Sequence, residues 1–203
     1  MSLFSDSYRT IEEPSKGLFR DRGSRFIALA FPVKSAEEIK SILDHLRKEY
    51  HDARHHCYAY TLGSDRLIWR ANDDGEPSGS AGRPILGQIN SNEITDILIV
   101  VVRYFGGTLL GVSGLINAYR TAAADAIANA AIVEKRVHKS LRITFPYLGM
   151  NEVMKVLKEE NAEHKDQTFD DDCSLVVSFP ISASEKIEGR LKKISGLSIS
   201  YSL

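Results

Sequence analysis

Apolar and polar positions change rhythm several times along the chain, and each change predicts an element. The densest apolar run, Ile97 through Val102, has six residues without interruption, most of them β-branched. Such a run predicts a strand buried on both faces. Downstream of it, Leu115, Ala118, Tyr119, Ala122, Ala123, Ala126 and Ile127 recur at helical spacing. Upstream, residues 25–33 (RFIALAFPV) predict a strand stopped by Pro32. Ser35 then opens a helix as its N-cap, with Glu37 and Glu38 in the first turn and Ile39, Ile42, Leu43 and Leu46 on one face. Residues 53–62 alternate strictly, which sets His55, Cys57 and Ala59 on one side and His56, Tyr58 and Tyr60 on the other. The Gly63-Ser64-Asp65 turn makes 53–62 and 66–72 a hairpin, and a helix is expected over 81–89. The first 24 residues are polar, with Pro14 and Gly17 interrupting any pattern, and are read as irregular. Arg20, Arg22 and Arg25 cluster there around Asp21, either as a solvated edge or as an anion-facing cluster in which Arg20 and Arg22 would join a contact face.

After Val133 the pattern becomes strand (141–145), helix (151–160), strand (163–169), turn (170–172), strand (174–179), helix (184–194) and strand (197–201). That β-α-β-β-α-β order is the ferredoxin-like split βαβ. Gly149 and Asn151 are expected to open its first helix and Ser182 or Ser184 its second, which Gly196 closes. Asp170, Asp171 and Asp172 read as a solvated hairpin tip. The fold class is therefore α+β with two domains, residues 1–135 and 136–203. The second carries no candidate chemistry and reads as a docking module.

Chemistry concentrates in two glycine-rich stretches. Gly106, Gly107, Gly111 and Gly114 lie between the central strand and the small-residue helix. In that geometry backbone N–H groups converge on an anion at a positive helix end. Alternatively, the glycines serve only close packing and positive φ. Residues 106–113 (GGTLLGVS) have Walker A spacing, but Val112 stands where the phosphate-binding lysine belongs, and G-x-G-x-x-G is absent. An anion here would be held by amides, Arg103 and Arg120. The second stretch, residues 73–83 (DDGEPSGSAGR), places Asp73, Asp74 and Glu76 in four positions. They could hold a divalent cation or act as acid and base, or they could cap a turn and a helix. His55 beside Cys57 on one strand face invites a thiol-nucleophile reading, against which stands a buried Cys next to a hydrogen-bonded His. No zinc-type ligand spacing is present, and no cofactor is implied.

Composition narrows the field. Twenty-six Lys and Arg against 27 Asp and Glu give a net charge of -1, so any basic binding face must be local. Two distant cysteines do not make a disulfide framework, no run approaches a membrane span, and the N-terminus lacks a signal-peptide core. A cytoplasmic protein with reduced thiols is expected.

Several blocks together resemble the Impact family, in its YigZ-type bacterial form. They are Ser24-Arg25-Phe26-Ile27; His55, Cys57-Tyr58-Ala59-Tyr60; Asp73-Asp74-Gly75-Glu76-Pro77-Ser78-Gly79 with Ala81-Gly82-Arg83-Pro84; Val102-Arg103-Tyr104-Phe105-Gly106-Gly107; and Gly111, Gly114-Leu115, Ala118-Tyr119. Ser80 stands where the family often has Thr, and Asn117 where it often has Arg. The resemblance covers about residues 20–133. It implies an N-terminal domain like domain IV of elongation factor G, with a ribosomal-protein-type α/β fold, and a second domain like its domain V. It also implies a neighbourhood in translation, since eukaryotic Impact proteins regulate translation by competing for the activator of a starvation-sensing initiation-factor kinase.

Two functions of different class follow. The first is a non-catalytic binding protein in translation or stress regulation, contacting RNA, the ribosome or a regulatory protein, with no membrane role. Its face would be Arg83, Arg103, Tyr104, Phe105, Gly106, Gly107, Gly111, Gly114 and Arg120, with Asp73, Asp74, Glu76 and His55 alongside. The second is a hydrolase-like enzyme on an anionic or phosphate-containing substrate, using Asp73, Asp74 and Glu76. It requires those carboxylates to converge on one pocket.

Overall fold

The structure is a computed structural model, and it describes residues 6–169 and 172–201. The chain divides into two compact units, Tyr8–Lys135 and one built chiefly from Arg136 onward. The larger contains β1 (Ser7–Ile11), β2 (Ser15–Asp21), β3 (Ser24–Pro32), α1 (Ala36–Glu49), β4 (His55–Leu62), β5 (Ile68–Asn72), α2 (Gly82–Ser91), β6 (Ile97–Tyr104), α3 (Gly111–Ala128) and β7 (Ile132–Arg136). Five of these strands form an antiparallel sheet in the order β2-β3-β6-β4-β5, while β1 pairs with β7.

The apolar run sits at the centre of that sheet, covered on both sides. Ile97, Ile99 and Val101 pack with residues of α2 and α3, such as Ile85, Ile89, Ala118 and Ala122. Leu98, Val100 and Val102 pack with Ile39, Leu43 and Leu46 of α1. Each such side chain taken from water contributes about 1.5–3 kcal/mol, and together they fix the register of β6. Ser35 caps α1 as expected, its Oγ accepting the Glu38 N–H at 3.2 Å.

The N-terminal segment departs from the sequence reading. β1 and β2 are strands, and Gly17 lies inside β2 rather than breaking it. A Cβ at Gly17 would stand 2.3 Å from the Ala126 backbone nitrogen, so the glycine permits α3 to lie against the strand. Of the acidic run expected at a hairpin tip, Asp170 and Asp171 lie outside the described residues, and Asp172 begins a strand.

The second unit contains β8 (His138–Pro146), α4 (Met150–Glu159), β9 (Glu163–Phe169), β10 (Asp172–Pro180), α5 (Ser184–Leu191) and β11 (Ser198–Tyr201). Its antiparallel sheet has the order β11-β8-β10-β9, the split βαβ arrangement. Leu141, Ile143 and Phe145 of β8 share a core with Val153, Leu157, Ile187 and Leu191. Neither helix begins on a side-chain cap. Gly149 and Ala183 hold those positions, Asn151 lies within α4, and the Ser184 hydroxyl turns to Glu188 instead. The fold is α+β with two domains.

Candidate functional site

Residues 73–81 join β5 to α2, and their polar groups hold the loop against β4. Asp73 Oδ1 accepts the N–H groups of Ala81 at 3.0 Å and Gly82 at 2.8 Å, and Oδ2 accepts that of Gly79 at 2.8 Å. Ala81 at the α2 cap position has no side chain to offer, so Asp73 caps the helix from eight residues upstream. Burial alone would raise the Asp73 carboxyl, but the amides of Gly79, Gly82 and Ala81 outweigh it and hold it below the usual carboxylate range. Asp74 adopts φ 40° and accepts the His56 N–H on Oδ2 at 2.7 Å, while its carbonyl lies 2.8 Å from His55 Nδ1.

Glu76 reaches deepest. Its Oε1 accepts Arg103 Nη1 at 2.6 Å and the Tyr119 hydroxyl at 2.7 Å, with Glu76 only 9% and Arg103 only 7% exposed. Tyr119 is fully buried and meets Phe26 edge-on, ring centroids 5.1 Å apart. Cys57 Sγ lies 3.3 Å from the Tyr119 oxygen and 3.0 Å from the Asp73 carbonyl. Burial pushes both the Cys57 thiol and the Tyr119 phenol well up. A thiol so placed is not a thiolate near neutral pH, which leaves the His55–Cys57 pair without a nucleophile. Asp73, Asp74 and Glu76 point to different partners and are each committed to the scaffold, so they form no free acid/base pair.

Arg103 corrects the sequence reading most sharply. The sequence places it among the anion-contacting cations, yet it is buried beneath the loop, its guanidinium 5.4 Å from the Phe26 ring. The network also recruits Tyr119, which helical spacing marks only as core. A buried tyrosine needs a partner for its hydroxyl, and that was the available signal.

The Glu76–Arg103 pair draws the two glycine-rich segments together at one end of the sheet. Arg103 stands opposite His55 on β4 and Phe26 on β3. Beyond it the chain opens outward, with Phe105 55% and Leu109 81% exposed. Gly106 is pinned, its N–H donating to Ser24 Oγ at 3.1 Å, and its Cβ would fall 1.9 Å from Gly23. Gly107 at φ +89° and Gly111 at φ +71° have open space around them. Gly114 packs under Leu110, which begins α3 without a side-chain cap bond. Tyr104 donates its hydroxyl to Asp52 Oδ1 at 2.7 Å, and Arg25 lies over its ring at 4.5 Å. Arg22 occupies the β2–β3 turn against which Gly106 packs, at φ 43°. Arg83 is exposed in the first turn of α2. Arg120, also exposed, lies about 2.5 turns along α3 from Gly111, away from the loop.

A family model for the Impact N-terminal domain matches residues 22–127, which include both loops, Arg103 and Tyr119. The chain belongs to the Impact family. IMPACT family member YvyE of Bacillus subtilis is 33% identical over 153 residues, covering 75% of this chain and 70% of that protein. IMPACT family member YigZ of Escherichia coli is 44% identical over 98 residues, or 47% of this chain and 48% of that one. A crystal structure of a hypothetical protein superimposes with TM-score 0.78 at 27% identity, covering 98% of this chain and 99% of that one. The Impact match thus ends within α3, and the ferredoxin-like unit lies beyond it. No helix among the described residues is long and apolar enough to cross a membrane.

Proposed function

We propose that this Impact-family chain is a non-catalytic binding protein of the cytoplasm, acting in translation or stress regulation by contacting RNA or the ribosome. The family's place in translation supports that neighbourhood. One observation carries the rest: at the loop end of the sheet, Asp73, Asp74, Glu76, Arg103, Cys57 and Tyr119 are all bonded into the scaffold. Phe105, Leu109, Arg22 and Arg25 stay exposed there, and the exposed carboxylate beside them, Asp52, is held by the Tyr104 hydroxyl. The contact face is Phe105 and Leu109 flanked by Arg22 and Arg25, a combination suited to stacking on bases and neutralising phosphates.

Co-sedimentation with ribosomes and gel shifts with single-stranded RNA, at low and high salt, test this reading. The native chain binds at low salt and releases as salt rises. Reversing Arg22 and Arg25 to glutamate makes the log–log salt slope shallower by about 2, and Phe105→Ala weakens binding at every salt concentration. Absence of binding at low salt, or a salt slope unchanged by the arginine reversals, rejects it.

A further inference from the structure

The sheet of the larger unit has two edges, and only one of them is closed. At β2, α3 lies alongside and consumes outward backbone groups: the Leu18 N–H donates to Asp125 Oδ2 at 2.8 Å, and the Lys16 carbonyl accepts Asn129 Nδ2 at 2.9 Å. At β5 no strand among the described residues pairs with the outer side. The strand is regularly registered on β4, without a bulge or proline to blunt the edge, and Arg70 is its one charged side chain. Its large apolar side chains are nevertheless out in solvent, Trp69 at 60% and Ile68 at 59% exposure. Beside it, where α1 leaves the sheet uncovered, a groove of about 340 Å³ is lined by Lys40, Asp44, Arg47, Tyr60 and Arg70 among others. Asp44 is 3.8 Å from Arg47, so Lys40 and Arg70 give the groove surplus positive charge.

We propose that β5 is a docking edge for an extended acidic segment of a partner protein, which joins the sheet as a sixth strand. Strand addition uses the free main-chain groups for affinity and alternate side chains for specificity. Arg70 stands opposite Tyr60 on the α1 side of the sheet, and Trp69 opposite Thr61 on the other. An incoming strand therefore presents carboxylates toward Arg70 and Lys40 and apolar side chains toward Trp69. A second copy of this chain fits poorly, because residues 66–72 carry Arg66 and Arg70 and no carboxylate. This edge is separate from the loop face and stands whether or not that face binds RNA.

Trp69 is the only tryptophan in the chain, so its emission reports directly on the edge. The full-length protein is titrated with a short, end-capped peptide of alternating glutamate and valine. Emission changes saturably, and amide exchange slows at residues 68–72. Arg70→Glu weakens this peptide by about tenfold or more and admits the lysine/valine counterpart, a charge swap that loss of folding would not produce. Reversing Arg22 and Arg25 leaves peptide binding unchanged, which separates this result from the fate of the loop face. The proposal is overturned by any of four results. Emission fails to saturate, Arg70→Glu binds both peptides like the native chain, protection maps to residues 105–112, or Trp69 responds instead to an RNA oligonucleotide or to self-association.

Discussion

Between Asp73 and Gly82, the side chains of Asp73, Asp74, Glu76 and Ser80 all bond inward, whereas residues 105–109 face solvent between the Gly106 N–H bond to Ser24 and the buried Leu110. The two segments meet through one ion pair at the same end of the sheet. A high density of glycine and polar residues thus has two physical outcomes. Where carboxylates are present, they find backbone amides and a buried cation, and the loop becomes an internal brace. Where side chains are apolar or absent and two glycines hold positive φ in open space, the loop stays available for contact. The rigid segment supports the exposed one.

The largest effect belongs to the pair that joins the loops. Glu76→Gln leaves the Arg103 charge buried without its counter-ion, and Arg103→Ala leaves the Glu76 carboxylate with Tyr119 alone. Each costs about 3–5 kcal/mol in urea unfolding. Because both touch one network, the double variant loses less than the sum. A loss below about 1 kcal/mol for either single variant would show that the brace does not depend on this pair.

A smaller effect, confined to the braced side, comes from Asp73. Asp73→Ala removes three charge-assisted bonds, two at the start of α2 and one in the loop before it, and costs about 2 kcal/mol near neutral pH. The sign with pH follows from the depressed carboxyl. Its folded-state pKa lies below the unfolded value, so its stabilisation is complete above the ordinary carboxylate range. It disappears as pH falls through the folded-state pKa. Native and variant stabilities therefore converge on acidification below about pH 4. A gap that is constant with pH would assign the cost of the substitution to packing instead.

Much of this architecture was legible in the chain because it rests on periodicity. The Ile97–Val102 run, the alternation of His55, Cys57 and Ala59 against His56, Tyr58 and Tyr60, and the βαββαβ order all depend on one residue type repeating at one spacing. What local pattern does not reveal depends on long-range geometry. Gly17 interrupts a local pattern, yet it sits in β2 because Ala126, more than a hundred residues later, presses on it. The sense of Arg103 depends on Glu76 arriving from another element, and nothing local distinguishes a buried arginine from an exposed one. Asp73, by contrast, was open between ligand and cap, and that ambiguity disappears once the amides of Gly79, Ala81 and Gly82 are located around it.

The smallest effect falls on the open segment. A Cβ at Gly107 would touch nothing within 4 Å, so Gly107→Ala is opposed only by the residue's φ of +89°. That conformational penalty is about 1 kcal/mol, and no neighbour needs to move. Amide exchange should quicken around residues 106–110 while the amides of Gly79, Ala81 and Gly82 keep their protection, since nothing in the brace leans on Gly107. If those three amides lost protection as well, the two loops would be one cooperative unit. The exposed segment would then help to hold the brace, rather than being held by it.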